Sequence, residues 1–246
     1  MQGYVPYKKS LNKRKLQIKS IFMIILFFSL TITILVCLGV SRKANKCFDK
    51  QTFHFVYTQK NKVKTDKNQI DLLKSVGGAG VVYFHKENFH LLANFYLKKD
   101  DANEIKDGMI QNFENSGILQ LEVKTLSRSL QNKIKSNENA YLFFKKLYKF
   151  FEKFENLNMQ YISGEVSEGK LVSTLIAEKL EFETIAKEFD SGDEKLFLDI
   201  KTYLNMVVLH FESFFNEFFS STKKQSLVCM LGVNIALTKV ELFNNL

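Results

Sequence analysis

The chain has few cysteines and few arginines. Its three cysteines, Cys37, Cys47 and Cys229, are too few and too scattered to form a disulfide framework. If the chain is exported, this scarcity indicates a host that does not crosslink its exported proteins. Only three of the 35 basic residues are arginine, and Lys, Asn, Phe and Ile are abundant. This usage is typical of an AT-rich genome, such as that of a low-GC bacterium.

The sequence also lacks the motifs of common catalytic and cofactor sites. It contains no G-x-S-x-G nucleophile elbow, no H-E-x-x-H metal motif and no glycine-rich phosphate loop followed by lysine. The spacing of His54, His85 and His90 fits no zinc pattern, and no cysteine or carboxylate cluster completes a tetrahedral set of ligands. We therefore expect a protein without enzymatic activity, cofactor or metal ion.

A basic surplus is absent from most of the chain, although the formal net charge is +9. Residues 1–50 hold ten Lys and Arg residues against one acid, and the remaining residues have equal numbers of bases and acids. A nucleic-acid-binding domain needs a basic surface for phosphate contacts. The charge distribution therefore excludes nucleic acid as a partner and indicates contact between the basic N-terminal region and anionic lipid headgroups.

Ile21–Val40 is a run of residues without a single charge. About 20 apolar residues in a helix span the roughly 30 Å hydrocarbon core of a bilayer. Six Lys and Arg residues precede the run and four follow it up to Lys50. This bias predicts a single-pass cell-membrane protein with a cytoplasmic N-terminus and residues 41–246 outside. A cleaved secretory signal is the alternative, but the run is longer than the usual signal core and no A-x-A site follows.

Six segments divide the chain on this interpretation. Residues 51–126 have strand periodicity interrupted by two helices, whereas residues 138–246 have only helical periodicity. The predicted segments are a basic cytoplasmic head (1–20), a transmembrane helix (21–40), a linker (41–50), a first domain (51–126), a second linker (127–137) and a helical bundle (138–246).

The first domain has the element order β-α-β-β-α-β. The predicted elements are a strand at Gln51–Gln59, a helix at Asp66–Val76, strands at Ala79–His85 and Phe89–Leu97, a helix at Asp100–Ser116 and a strand at Ile118–Lys124. Two helices that follow strands one and three make a split βαβ motif. In its usual 4-1-3-2 strand order, both helices cover one face of the sheet and leave the other face available.

The second domain is predicted to be an antiparallel bundle of four amphipathic helices joined by short turns. The helices cover approximately residues 138–160, 167–189, 193–221 and 224–244. The predicted fold class is therefore α+β: a transmembrane helix, a split βαβ domain and a C-terminal four-helix bundle. The bundle offers a surface for a protein partner or for homo-oligomers.

The first domain resembles the SPOR (sporulation-related) domain, a ferredoxin-like module of cell-envelope proteins. The family pattern aromatic-x-apolar-x-apolar-Gly-x-Phe, with Ala six positions after that Phe, falls within FHLLANFYLKKDDANEIKD, on Phe89, Leu91, Ala93, Asn94, Tyr96 and Ala102. The resemblance covers Gln51–Thr125 and extends to the membrane-anchored type of low-GC Gram-positive bacteria. It implies binding of peptidoglycan glycan strands during division or sporulation. Val56 and Leu92 stand where the family often has Gln, and Thr58 and Asn94 where it has Gly.

The free face of the predicted sheet is the expected glycan-binding site, because polar side chains beside an apolar floor suit a sugar. The candidate residues are His54, Val56, His90, Leu92, Gln120 and Glu122. In the alternative interpretation, the chain's own bundle covers this face. The protein is then a non-enzymatic membrane scaffold that acts by oligomerisation, and burial of His54, His90 and Leu92 against helices is the distinguishing sign.

Overall fold

The computed structural model describes residues 46–63, 65–109, 113 and 115–246 of the chain. The predicted basic head (1–20) and transmembrane helix (21–40) lie outside the described residues. Lys46–Phe48 form a short 3₁₀ helix, and the first strand begins at Gln51.

Four strands, rich in the aromatic and β-branched residues that favour sheets, form one antiparallel sheet. They are β1 (Gln51–Asn61), β2 (Val81–His85), β3 (Asn88–Tyr96) and β4 (Gly117–Val123). The strands lie in the order β2-β3-β1-β4, and each neighbouring pair is antiparallel. Lys86 and Glu87 have φ values of 46° and 65°, as the central residues of a two-residue type I′ hairpin turn require, and they join β2 to β3.

Two bulges interrupt the pairing of β1 with β3. The register skips Ala93 on β3 and then Thr58 on β1. Each skipped residue shifts the alternation of side chains by one position. Val56 and Leu92 therefore lie on opposite faces of the sheet.

Seven α-helices complete the described part of the chain. They are α1 (Lys67–Ser75), α2 (Lys99–Met109), α3 (Arg128–Ser136), α4 (Glu138–Ile162), α5 (Glu168–Glu188), α6 (Lys195–Phe218) and α7 (Lys224–Asn245). Side chains of Asp66, Ser127, Asn137 and Ser167 accept hydrogen bonds from backbone N–H groups in the first turns of α1, α3, α4 and α5. These caps satisfy donors that a helix start leaves unpaired.

Helices α1 and α2 cover one face of the sheet, which we name the first face. Ala102 and Ile105 of α2 pack against Val56 and Tyr96. Leu73 of α1 is fully buried in a second cluster with residues of β3. These contacts bury two small apolar clusters.

Helices α4 and α7 cover the opposite face, which we name the second face. Phe53, Phe55 and Phe95 lie on this face and are at most 2% exposed. The ring of Phe151 on α4 packs edge-on at 5.0 Å from Phe53 and 5.7 Å from Phe95. Gly232 of α7 lies so near Phe95 that any side chain at this position would clash. The second face thus contributes to the main hydrophobic core.

The predicted fold class was wrong in giving the chain a separate C-terminal four-helix bundle. Its transmembrane helix (21–40) lies outside the described residues, and its β-α-β-β-α-β element order and 4-1-3-2 strand order are those of the described sheet. The described chain is α+β, with a four-stranded antiparallel sheet and seven helices, five of which follow β4. The helices do not form a bundle of their own, because α4 and α7 pack on the second face and Cys47–Leu246 is one compact unit. The physical reason is that a sheet face lined by phenylalanine must be buried by another layer.

Two C-terminal segments illustrate how this layer is built. Arg128–Ser136, within the predicted linker, is helix α3, and its Ile134 is fully buried. Helix α7 is long and apolar enough to cross a membrane, but 83% of its most apolar window is buried inside the protein. A position in the core therefore accounts for the composition of α7.

Candidate functional site

The six residues predicted to bind glycan lie on two different faces of the sheet. His54 and Val56 lie on the first face, where His54 is 7% exposed and Val56 is fully buried. His90 and Leu92 lie on the second face, 3% and 0% exposed. The bulges cause this separation, so the four residues do not form one platform.

Both buried histidines are neutral parts of the interior near pH 7. Burial lowers the pKa of His54, and the charge of Lys99 lowers it further. Burial likewise lowers the pKa of His90, with a further contribution from Lys60. The Nδ1 atoms of His54 and His90 have no hydrogen-bond partner among the described residues.

Gln120 and Glu122 are the two candidates that solvent reaches. They alternate with buried residues along β4. Gln120 Nε2 donates to Glu122 Oε1 at 3.0 Å, and Lys50 Nζ lies 2.9 Å from Glu122 Oε2. Hydrogen bonds from Lys50 and Gln120 lower the pKa of the Glu122 carboxyl group. These two side chains form a small polar surface without an aromatic floor.

A larger surface feature lies between α4 and α5, and we name it the α4–α5 groove. It encloses about 430 Å³. Its lining residues are Leu142, Lys145, Lys146 and Lys149 of α4 and Leu180, Glu181, Thr184 and Ile185 of α5. Aliphatic side chains and lysine stems dominate this lining.

Helix α5 has apolar residues on two sides. Leu171, Leu175 and Phe182 are fully buried in the core. Ile176 and Leu180, offset from them around the helix, are 41% and 55% exposed. Solvent-directed aliphatic residues one turn apart form an apolar strip that the described part of the chain does not cover.

A buried ion network holds the two walls of the groove together. Lys146 Nζ lies 2.5 Å from Glu178 Oε2 and 2.5 Å from Glu181 Oε2, and the Lys146 side chain is 8% exposed. Lys153 Nζ reaches the other oxygen of Glu178 at 3.3 Å. The charge of Lys146 is therefore offset inside the protein and is not available to a ligand.

Lys145 and Lys149 differ from Lys146 because neither forms an ion pair with a described residue. They lie one helical turn apart, a spacing at which like charges repel by a few tenths of a kcal/mol. Lys145 Nζ lies 5.3 Å from the ring centre of Tyr141. Glu152, the next acid along α4, accepts a hydrogen bond from the Tyr148 hydroxyl at 2.8 Å. The rim of the groove is therefore positively charged.

Lys239 of α7 is the most enclosed charged residue among those that the structure describes, at 2% exposed. Its Nζ donates to Gln51 Oε1 and lies within 6 Å of four ring centres. The rings belong to Phe53, Tyr148, Phe151 and Phe243. Burial lowers the pKa of Lys239 to about 7. This buried amine belongs to the contact between α7, β1 and α4.

In the part of the chain that the structure describes, no group of three or more His, Cys, Asp or Glu residues could hold a metal ion. The groove residues Leu180 and Lys149 were missed by the sequence analysis. The signal that could have identified Leu180 is its pairing with Ile176, outside the core stripe of α5.

A comparison of the chain with protein-family models, curated proteins and solved structures finds no match. The resemblance to the SPOR domain therefore rests on the residues quoted from the sequence.

Proposed function

We propose that the chain is a non-enzymatic, membrane-anchored scaffold protein that holds a protein partner on the outer surface of α4 and α5. The observation that carries this proposal is the solvent-directed apolar strip of α5 beside the α4–α5 groove. Leu142 on α4, 37% exposed, extends the strip across the groove to Leu180. Clustered exposed aliphatic residues bounded by charged ones are typical of interaction surfaces.

The burial of three candidate sugar-binding residues of the sheet also supports the scaffold function. His54, His90 and Leu92 are all buried, which is the sign that distinguishes a scaffold from an open sugar platform. The membrane anchor of this proposal rests on the uncharged run Ile21–Val40 and its basic flank.

Site-specific photocrosslinking in the cells that produce the protein tests this function. A photoreactive benzoylphenylalanine replaces Leu180 in the full chain. The matched control carries the same group in place of Leu209, which is 59% exposed on α6 and does not line the groove. We expect a discrete protein adduct from position 180 and none from position 209.

A second substitution tests whether the adduct from position 180 depends on the groove. Leu142→Asn should abolish the adduct from position 180, because it removes the apolar contact on the opposite wall. Equal adducts from both positions, or an adduct that Leu142→Asn leaves unchanged, would contradict the proposed function.

Peptidoglycan binding is a second candidate, favoured by the exposed pair Gln120 and Glu122 on β4. Co-sedimentation of the full chain with purified sacculi, with and without amidase treatment, tests it. Sugar binding predicts more bound protein after the amidase and a loss with Gln120→Ala plus Glu122→Ala, but not with Leu180→Asn. Sedimentation that the double variant leaves unchanged would exclude these residues as the sugar site.

A further inference from the structure

The chemistry of the partner can be inferred from the α4–α5 groove, and this inference rests on the proposed scaffold function. The walls of the groove are two long helices joined by a short connection at residues 163–167. The depression between two neighbouring helices is the shape that receives the ridge of a third helix. Leu142, Leu180 and Ile185 provide apolar contacts on both walls. The shape therefore suits the apolar face of an amphipathic helix.

The charges around the groove determine the sign of the charge that a partner should carry. Three lysines and one acid line it, and Glu178 and Glu181 offset the charge of Lys146. Lys145 and Lys149 remain without an acidic partner among the described residues. A carboxylate placed between them would relieve their mutual repulsion and add two favourable ion pairs at the rim.

A second copy of the chain is a poorer occupant. In a twofold dimer the same surface contacts itself, so Lys145 and Lys149 of one protomer would approach the same lysines of the other. An anionic bilayer is also a poorer fit, because a flat surface can contact the lysine heads but cannot fill a concave groove. An acidic helix satisfies both the apolar floor and the charged rim.

We propose that the α4–α5 groove binds an acidic amphipathic helix of a partner protein. The apolar face of that helix packs on Leu142, Leu180 and Ile185. Acidic side chains along one of its edges pair with Lys145 and Lys149.

A synthetic peptide tests the proposal. The probe is a fluorescent helical peptide of about 18 residues, with Leu at spacings i, i+3, i+4 and i+7 and Glu at the flanking positions. Its anisotropy is measured against the full chain in nanodiscs of zwitterionic lipid. We expect saturable binding that weakens as the salt concentration rises, because exposed charge pairs are screened.

Matched variants locate the binding. Leu180→Asn, and Lys145→Glu with Lys149→Glu, should each weaken binding about tenfold or more, since they remove the apolar contact and the charge pairing respectively. The controls Leu209→Asn and Lys195→Glu make the leucine change and a single lysine charge reversal on α6, outside the groove, and should stay within about twofold of the parent chain. Far-UV circular dichroism checks that each variant is folded.

Three results would overturn the acidic-helix proposal. They are no binding of the peptide, equal binding of a peptide with Lys in place of Glu, and binding only of phosphatidylglycerol vesicles. If the adduct from position 180 persists in any of these cases, the scaffold function stands and only the chemistry of its partner is wrong. If the adduct is also absent, both proposals fail.

Discussion

Lys239 is a single residue whose protonation should change the stability of the whole fold. Its pKa is about 7 in the folded protein, against about 10.4 for an unperturbed lysine in an unfolded chain. Above pH 7 the unfolded chain therefore binds a proton that the folded protein does not. The free energy of unfolding should rise with pH from 7 to about 8.5, by about 1 kcal/mol per pH unit.

Substitution of this lysine tests the linkage. Lys239→Met removes the titrating charge, so the variant should be more stable than the parent chain by about 1–3 kcal/mol at pH 7. This difference in the free energy of unfolding should shrink as the pH rises from 7 to 8.5. Urea unfolding of the full chain at both pH values measures this difference. Lys195→Met, at an exposed position on α6, serves as the control. Parallel pH profiles of the parent and Lys239→Met would contradict the prediction.

Glu178 and Glu181 contact the same lysine but should differ in their effect on stability. The Glu178 side chain is 7% exposed and that of Glu181 is 60% exposed. Glu178→Gln leaves two lysines without their buried partner and should lower the free energy of unfolding by about 2–4 kcal/mol. Glu181→Gln removes a solvent-screened pair and should cost less than about 1 kcal/mol. Equal losses of unfolding free energy for the two variants in urea would contradict the prediction that the buried Glu178 contributes more to stability than the exposed Glu181.

At the scale of single residues, sequence periodicity predicts only part of the candidate site. It identifies Gln120 and Glu122 as the polar positions of β4, where alternation is regular, but they lie on the first face with His54 and not on the predicted free face. It cannot predict that His90 and Leu92 lie on the face opposite to His54 and Val56, because the bulges in β1 and β3 change the alternation and Ala93 has no distinguishing chemistry. Leu180 was missed because a single exposed leucine in an amphipathic helix is common.

Helix α7 connects the sheet to the other helices. Gly232 faces Phe95 on the sheet side, while Thr238 Oγ1 lies 3.1 Å from His210 Nε2 on α6. Its apolar residues surround the helix, so periodicity cannot predict which neighbour it contacts. Helix α5 was easier to predict, since its stripe of Leu171, Leu175 and Phe182 assigns one side to the core.

A substitution at Gly232 tests the close approach of α7 to the sheet. Gly232→Leu would place a side chain where the Phe95 and Phe154 rings already lie. Overpacking of this kind costs about 1–3 kcal/mol, which should exceed the roughly 1 kcal/mol gained in helix propensity. Gly169→Leu, in a helix position where an added Cβ would meet no neighbouring side chain within 4 Å, is the matched control and should be neutral or stabilising. Thermal unfolding of both variants makes the comparison, and a stabilised Gly232→Leu would contradict this packing.

At the scale of the whole molecule, the second face of the sheet and helices α4 to α7 share one hydrophobic core. Phe53 and Phe55 of the sheet cannot be exposed without uncovering Phe151 of α4, so neither layer has a complete core alone. Single domains with one core usually unfold in one cooperative transition. The arrangement predicted from sequence, with a separate bundle, would instead allow two transitions.

Hydrogen exchange at the level of single amides distinguishes these two cases. We expect the slowest amides of β1 and of α7 in the full chain to exchange with the same free energy of opening, equal to that of global unfolding. Both values should fall together in Gly232→Leu, because its clash lies at the contact between the two layers. If the β1 amides exchange at a lower free energy while α7 keeps its protection, the helices are stable without the sheet. The helical layer would then be an independent unit, and the sheet would be free to expose its phenylalanine face.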